Sequence, residues 1–100
     1  MTITLKINGN DKTFVNNFVS GRVLRKTFEM NKLFNKNQAE FDETTIDLLV
    51  NYVVEVYGKQ FTIDEFYDGI DAKEVLPTIV NCIKEITGNM EKELNTDPNA

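Results

Sequence analysis

The chain has no histidine and no tryptophan among its 100 residues, a single cysteine and only two prolines. The missing histidine removes the commonest general base, the commonest metal ligand and the usual nucleophile–base pairs. Cys82 alone cannot close an internal disulfide. It lies beside an apolar helical stripe and reads as a small buried side chain, with no base to activate it. No apolar run approaches about 18 residues, so no membrane span is expected. The N-terminus shows neither the long hydrophobic region nor the cleavage-like site of a secretory signal. The glycine patterns of phosphate cradles and dinucleotide folds are absent, as are the nucleophile elbow and the CxxC pair. Carboxylates for acid–base chemistry need burial in a cleft, and nothing marks one. Asp64, Glu65, Asp68, Asp71 and Glu74 crowd together, but aromatic residues stand where a calcium loop requires oxygen ligands. The reading is a non-enzyme without cofactor or metal.

What is present suits one small folded domain: 41% apolar residues, with seven Phe and three Tyr supplying the aromatics. Charge is unevenly spread. Residues 1–36 carry seven Lys/Arg against two acids, and residues 37–100 carry four Lys against fourteen acids, within a net charge of −5. Such polarity supports self-association or docking to a charged partner.

Taken in order, Ile3, Leu5 and Ile7 alternate with Thr2, Thr4 and Lys6, the pattern of a half-buried strand. Asn8-Gly9 is a strong hairpin signal because both turn positions tolerate positive φ. Asn10-Asp11 lengthens the turn in this reading, and 12–15 is the return strand, running on toward Phe18. Ser20 caps a helix over 21–36 whose broad apolar face comprises Val23, Leu24, Thr27, Phe28, Met30, Leu33 and Phe34. Its remaining surface is crowded with Arg22, Arg25, Lys26, Lys32 and Lys36. A basic amphipathic helix suits nucleic acid or a membrane surface. The sequence pI of about 4.6 and the absence of any binding motif favour a protein partner instead.

A second helix over about 42–57 buries Ile46, Leu49, Val50, Val53, Val54 and Tyr57, widened by Leu48, Tyr52 and Val56, with Gly58 as its stop. Thr62 with Glu65 forms a capping box, and Phe61 with Phe66 a staple, at the start of a short third helix. Asp68-Gly69 breaks that helix through a left-handed glycine. Asp71 with Glu74 is a second capping box. Val75, Leu76, Ile79, Val80, Ile83 and Ile86 mark the last helix, ended by Gly88. Pro77 either kinks that helix or restarts it at a first position. The fold class is therefore α+β, mostly helical: an N-terminal β-hairpin and about four helices in one small domain over 1–88. A frayed helical end and flexible polar tail over 89–100 follow.

The succession LKINGNDKTF, FVSGRVLRKTFEM, FDETTIDLLVNYVVEVYGKQFT and IDEFYDGIDAKEVLPTIVNCIKEITG resembles the small tail assembly chaperones of long-tailed bacteriophages and prophages of Gram-positive hosts. The most telling parts are Arg22-Val23-Leu24-Arg25-Lys26, Gly58 with Phe61-Thr62, and Tyr67-Asp68-Gly69-Ile70-Asp71 through Leu76-Pro77. The resemblance implies a non-enzymatic protein that binds and solubilises the tape measure protein while tail tube protein polymerises around it. The major tail tube protein is a further implied partner. The resemblance also implies self-association, residence in the bacterial host cytoplasm, absence from the mature virion, and in many relatives a longer frameshifted form. No nucleic acid or membrane partner is implied. On this reading the wide apolar helix faces offer Phe28, Phe34 and Phe41 to the client, rimmed by Arg22, Arg25 and Lys26. Another small phage tail or connector protein, and a DNA-binding regulator, are the alternatives.

Overall fold

The computed structural model describes residues 1–36 and 42–95, with side chains up to residue 88. Strands β1 (Thr2–Ile7) and β2 (Asn10–Val15) pair antiparallel, Ile7 opposite Asn10 and Thr2 opposite Val15. Asn8 and Gly9 both take positive φ, 55° and 81°, the signature of a tight two-residue turn whose twist matches the strands. Asn10 and Asp11 therefore belong to β2 and do not lengthen the turn. Ile3, Leu5 and Phe14 turn inward, while the rest of β2 is exposed.

Helix α1 (Gly21–Lys36) begins where Ser20 Oγ accepts the Val23 N–H at 3.2 Å. Helix α2 (Glu43–Val56) is capped by Asp42, whose carboxylate accepts the Thr45 N–H at 2.8 Å. That hydrogen bond is the chief reason the Asp42 carboxyl sits below its ordinary value. Thr44 and Thr45 lie inside the helix. Helix α2 is the centre of the domain: Leu49, Val50, Tyr52 and Val53 are wholly buried, and it packs against α1, α3 and α4. Leu48, expected to widen the buried face, is half exposed on the outer side.

Helix α3 (Ile63–Gly69) starts with the full Thr62–Glu65 capping box, bonds of 2.8 and 3.0 Å. Phe61 and Phe66 stack across that start at 6.3 Å, and Phe61 meets Phe14 of the hairpin at 4.9 Å and Tyr57 of α2 at 5.6 Å. One aromatic chain thus welds hairpin, α2 and α3. Gly69 departs from expectation. It is not left-handed; the helix ends at Ile70, whose backbone is extended. Glycine is needed because β1 passes so close: a Cβ there would lie 2.6 Å from the Lys6 carbonyl oxygen.

A single 3₁₀ turn, Ala72–Glu74, then leads into α4 (Val75–Asn95). Asp71 caps the turn by accepting the Lys73 N–H at 3.1 Å, in place of the reciprocal box expected with Glu74. Pro77 falls in the first turn of α4, where a backbone N–H has no helical acceptor, so it neither kinks the helix nor marks its first residue. Nor does Gly88 stop the helix. Helix α4 runs through it to Asn95, a stretch that includes the helical end expected after residue 88. A Cβ at Gly88 would meet nothing within 4 Å. Replacing Gly88 by alanine should therefore stabilise the domain by about 0.5–1 kcal/mol, the helix-propensity difference. A lower melting temperature for G88A would contradict a continuous α4.

Helices α1 and α2 share one buried polar contact. Thr27 Oγ1 donates to the Val23 carbonyl at 2.7 Å and lies 2.7 Å from the Tyr52 hydroxyl. Thr27 has one proton and spends it on Val23, so Tyr52 is the donor. Tyr52→Phe should cost about 1 kcal/mol in urea titration, the net worth of such a bond.

Candidate functional site

Among the described residues no group of acids and cysteine could hold a metal ion. Every buried side-chain polar atom among them has a partner. Cys82 is 3% exposed, and burial pushes its thiol up to about 12, the reverse of what a nucleophile requires. Burial likewise raises the hydroxyl of Tyr52 to about 12, against a lowering by Thr27, and that of Tyr57 above its ordinary value. All three groups therefore stay neutral in the folded state to higher pH than in the unfolded chain. The stability they contribute is present below the unfolded pKa and lost as pH rises through the folded one. The melting temperature should hold steady to about pH 9 and fall between about pH 10 and 12. A flat profile through that window would show these groups to be solvated.

The surface, not a cleft, carries the distinctive features. Phe18 is 78% exposed, Phe28 42%, and Val15 and Leu48 each 49%. Phe18 lies in the 16–20 connector, and Asn16 fixes that connector. Its N–H and C=O bond the Met1 carbonyl and amino group at 2.9 and 3.1 Å. Its side-chain oxygen accepts the Phe18 N–H at 3.0 Å, and its amide nitrogen donates to the Val56 carbonyl. Gln60 adds a 2.9 Å bond to the Val15 carbonyl. Phe18 is thus held in water by a connector with little freedom to fold it inward.

Helix α1 continues this surface. Arg25, Phe28 and Lys32 are exposed and follow at three- and four-residue spacing, so they form one stripe with an aromatic between cations. Arg22 is exposed beside it. The other sequence candidates separate from this group. Lys26 turns toward α2, its ammonium 3.9 Å from Glu55, a half-exposed pair of small energetic weight. Phe34 is half buried and packs against the core. Phe41 lies outside the described residues. Phe28 was expected on the helix's apolar face, and it stands largely clear of the core. Phe18, read as the far end of the return strand, lies beyond β2, which stops at Val15. The available signal was a large aromatic among Asn16, Asn17 and Ser20, in a segment with no face to bury it.

No helix of the described residues is long and apolar enough to cross a membrane. No curated protein and no solved structure matches this chain. A family model described as phage tail chaperone protein matches residues 1–100. That match covers the whole chain, from the hairpin through α4: this chain belongs to the phage tail chaperone proteins.

Proposed function

We propose that this protein is a non-enzymatic chaperone that binds the phage tape measure protein in the host cytoplasm and keeps it soluble while the tail tube forms. The exposed Phe18, held outward by Asn16, is the observation that carries the reading. A monomeric domain gains nothing from holding a phenylalanine in water, whereas an aromatic anchor in a pre-organised loop binds an apolar helix at low entropic cost. Arg25, Phe28 and Lys32 extend that anchor along α1, with Arg22 as a further rim charge. Apolar contact at the centre with cations at the rim suits an amphipathic helical client. Lys26 and Phe34 are secondary contributors, since each already has an intramolecular role. Tail tube protein is a further partner in the same assembly, and self-association through the uneven charge of the chain accompanies client binding.

The test is co-expression with the tape measure protein of the same phage or prophage. Co-purification and a larger soluble client fraction are expected. Phe18→Ser with Phe28→Ser should weaken retention by about tenfold or more, the scale of hot-spot aromatics, with the helical circular dichroism unchanged. Arg22→Glu with Arg25→Glu should weaken it less, and more at low salt. An insoluble client that never co-purifies, with this chain or a longer frameshifted form, would overturn the reading. Recovery of the chain from purified virions would make it a tail component instead.

A further inference from the structure

A second surface, on the other side of the hairpin, has the features of a strand-accepting groove. Hydrogen bonding alternates along an antiparallel pair. Met1 and Asn16 exchange both of their backbone bonds, so Ile3, Leu5 and Ile7 are the next residues of β1 that bond to β2. The N–H and C=O groups of Thr2, Thr4 and Lys6 consequently point to the outer edge of β1. The Thr4 and Thr13 hydroxyls, 2.8 Å apart across the pair, fit that assignment, since side chains approach most closely at non-hydrogen-bonded pairs. Gly69 closes the edge at Lys6. At Thr2 and Thr4 the edge opens into a groove of about 700 Å³ whose far wall is α4, at Thr78, Asn81 and Glu85.

Helix α4 stands clear of β1. No Cα of β1 lies within 8 Å of a Cα of α4, and a hydrogen-bonded strand needs about 4.8 Å from its neighbour. The floor is apolar, formed by Ile3, Tyr57 and Cys82, while the walls are acidic. Asp11, Asp68, Asp71, Glu74 and Glu85 outnumber Lys6 and Lys84, and the terminal ammonium is engaged by Asn16.

We propose that this groove binds an extended, lysine- or arginine-bearing segment of a partner protein, which adds to the outer edge of β1 as a third strand. The charge excess on the walls selects a basic segment, and the free groups of Thr2 and Thr4 supply its backbone bonds. A second copy of this chain suits the groove less well, because pairing two β1 edges would bring two acidic walls together. The surface is separate from the Phe18–α1 stripe, so its fate does not depend on the client reading.

The probe is a short capped peptide of alternating lysine and valine, added to the full isotope-labelled chain, with amide exchange followed by NMR. The peptide should slow exchange at Thr4 by about tenfold or more, as a newly bonded amide requires. Leu5, already bonded to β2, should be unchanged. Glu74→Lys with Glu85→Lys should abolish the effect while Leu5 protection persists. Thr4→Pro, which removes an outward donor that β2 does not use, should also abolish it. If that variant misfolds, the charge-reversed pair decides. The proposal fails if Thr4 exchange is unmoved by the peptide. It fails equally if a glutamate–valine peptide acts as well, or if the perturbed amides lie on α1. Thr4 protection that grows with protein concentration alone would assign the edge to a second copy and overturn the proposal.

Discussion

Gly69→Ala should lower the melting temperature by up to roughly 15 °C, although alanine is the better helix former. Two effects oppose each other at this position. Helix propensity alone favours alanine over glycine by about 1 kcal/mol, and Gly69 has no positive φ for alanine to strain. Against this, the new Cβ would sit 2.6 Å from the Lys6 carbonyl oxygen, 3.0 Å from its nitrogen and 3.1 Å from the Leu5 Cβ. The first two are backbone atoms and cannot rotate away. Strand β1 must separate from α3, which disturbs Leu5, a wholly buried residue. Overpacking of this kind costs about 1–3 kcal/mol, and a domain of this size loses about 4–8 °C per kcal/mol. Thermal melts of the two proteins read out the sign. An unchanged or raised melting temperature would show that β1 does not rest on α3, and the groove beside β1 would then need redrawing.

Phe66→Ala should leave a chain that is largely unfolded at 37 °C. Phe66 is wholly buried and stacks with Phe61 while meeting Tyr67 edge-on at 6.1 Å. Removing a core phenylalanine costs about 3–5 kcal/mol, a large part of the stability available to a domain of this size. The loss falls where α3 and the Phe61 contacts to hairpin and α2 converge, so the damage spreads to every element around it. Phe66→Leu keeps most of the volume and should cost about 1–2 kcal/mol. Phe28→Ala is the control: a residue standing clear of the core should change stability by no more than about 0.5 kcal/mol. Urea titration of the three variants orders them. Equal losses for F66A and F28A would contradict the assignment of one to the core and the other to the exposed stripe of α1.

The contrast between these phenylalanines shows where sequence patterning reaches and where it stops. Phe66 was legible as the inner half of a staple because Phe61-Thr62 and Glu65 fix the helix start locally. Phe28 and Phe34 share an apolar arc of α1 that is wider than its partners can cover. Periodicity gives the direction of a face but not how much of it α2 and α4 occlude. Leu48 was misplaced for the same reason. Phe18 was read as the end of the return strand, which stops at Val15, and its exposure follows from the bonds Asn16 makes to Met1 and Val56.

By itself the sequence determined the hairpin turn at Asn8-Gly9, the starts of α1 and α3, the span of α1 and the inward strand residues. Each follows from torsional preference, a capping side chain or a repeat of two or three-to-four residues, and none needs a distant partner. Tertiary structure decided the rest. It made α2 the buried centre. It turned Gly69 from a presumed left-handed break into a point of close approach to β1. It carried α4 through Gly88, because a glycine weakens a helix by only about 1 kcal/mol. It also set the open edge of β1 opposite α4. Those outcomes depend on which surfaces meet across long chain separations, and local propensities carry no information about that meeting.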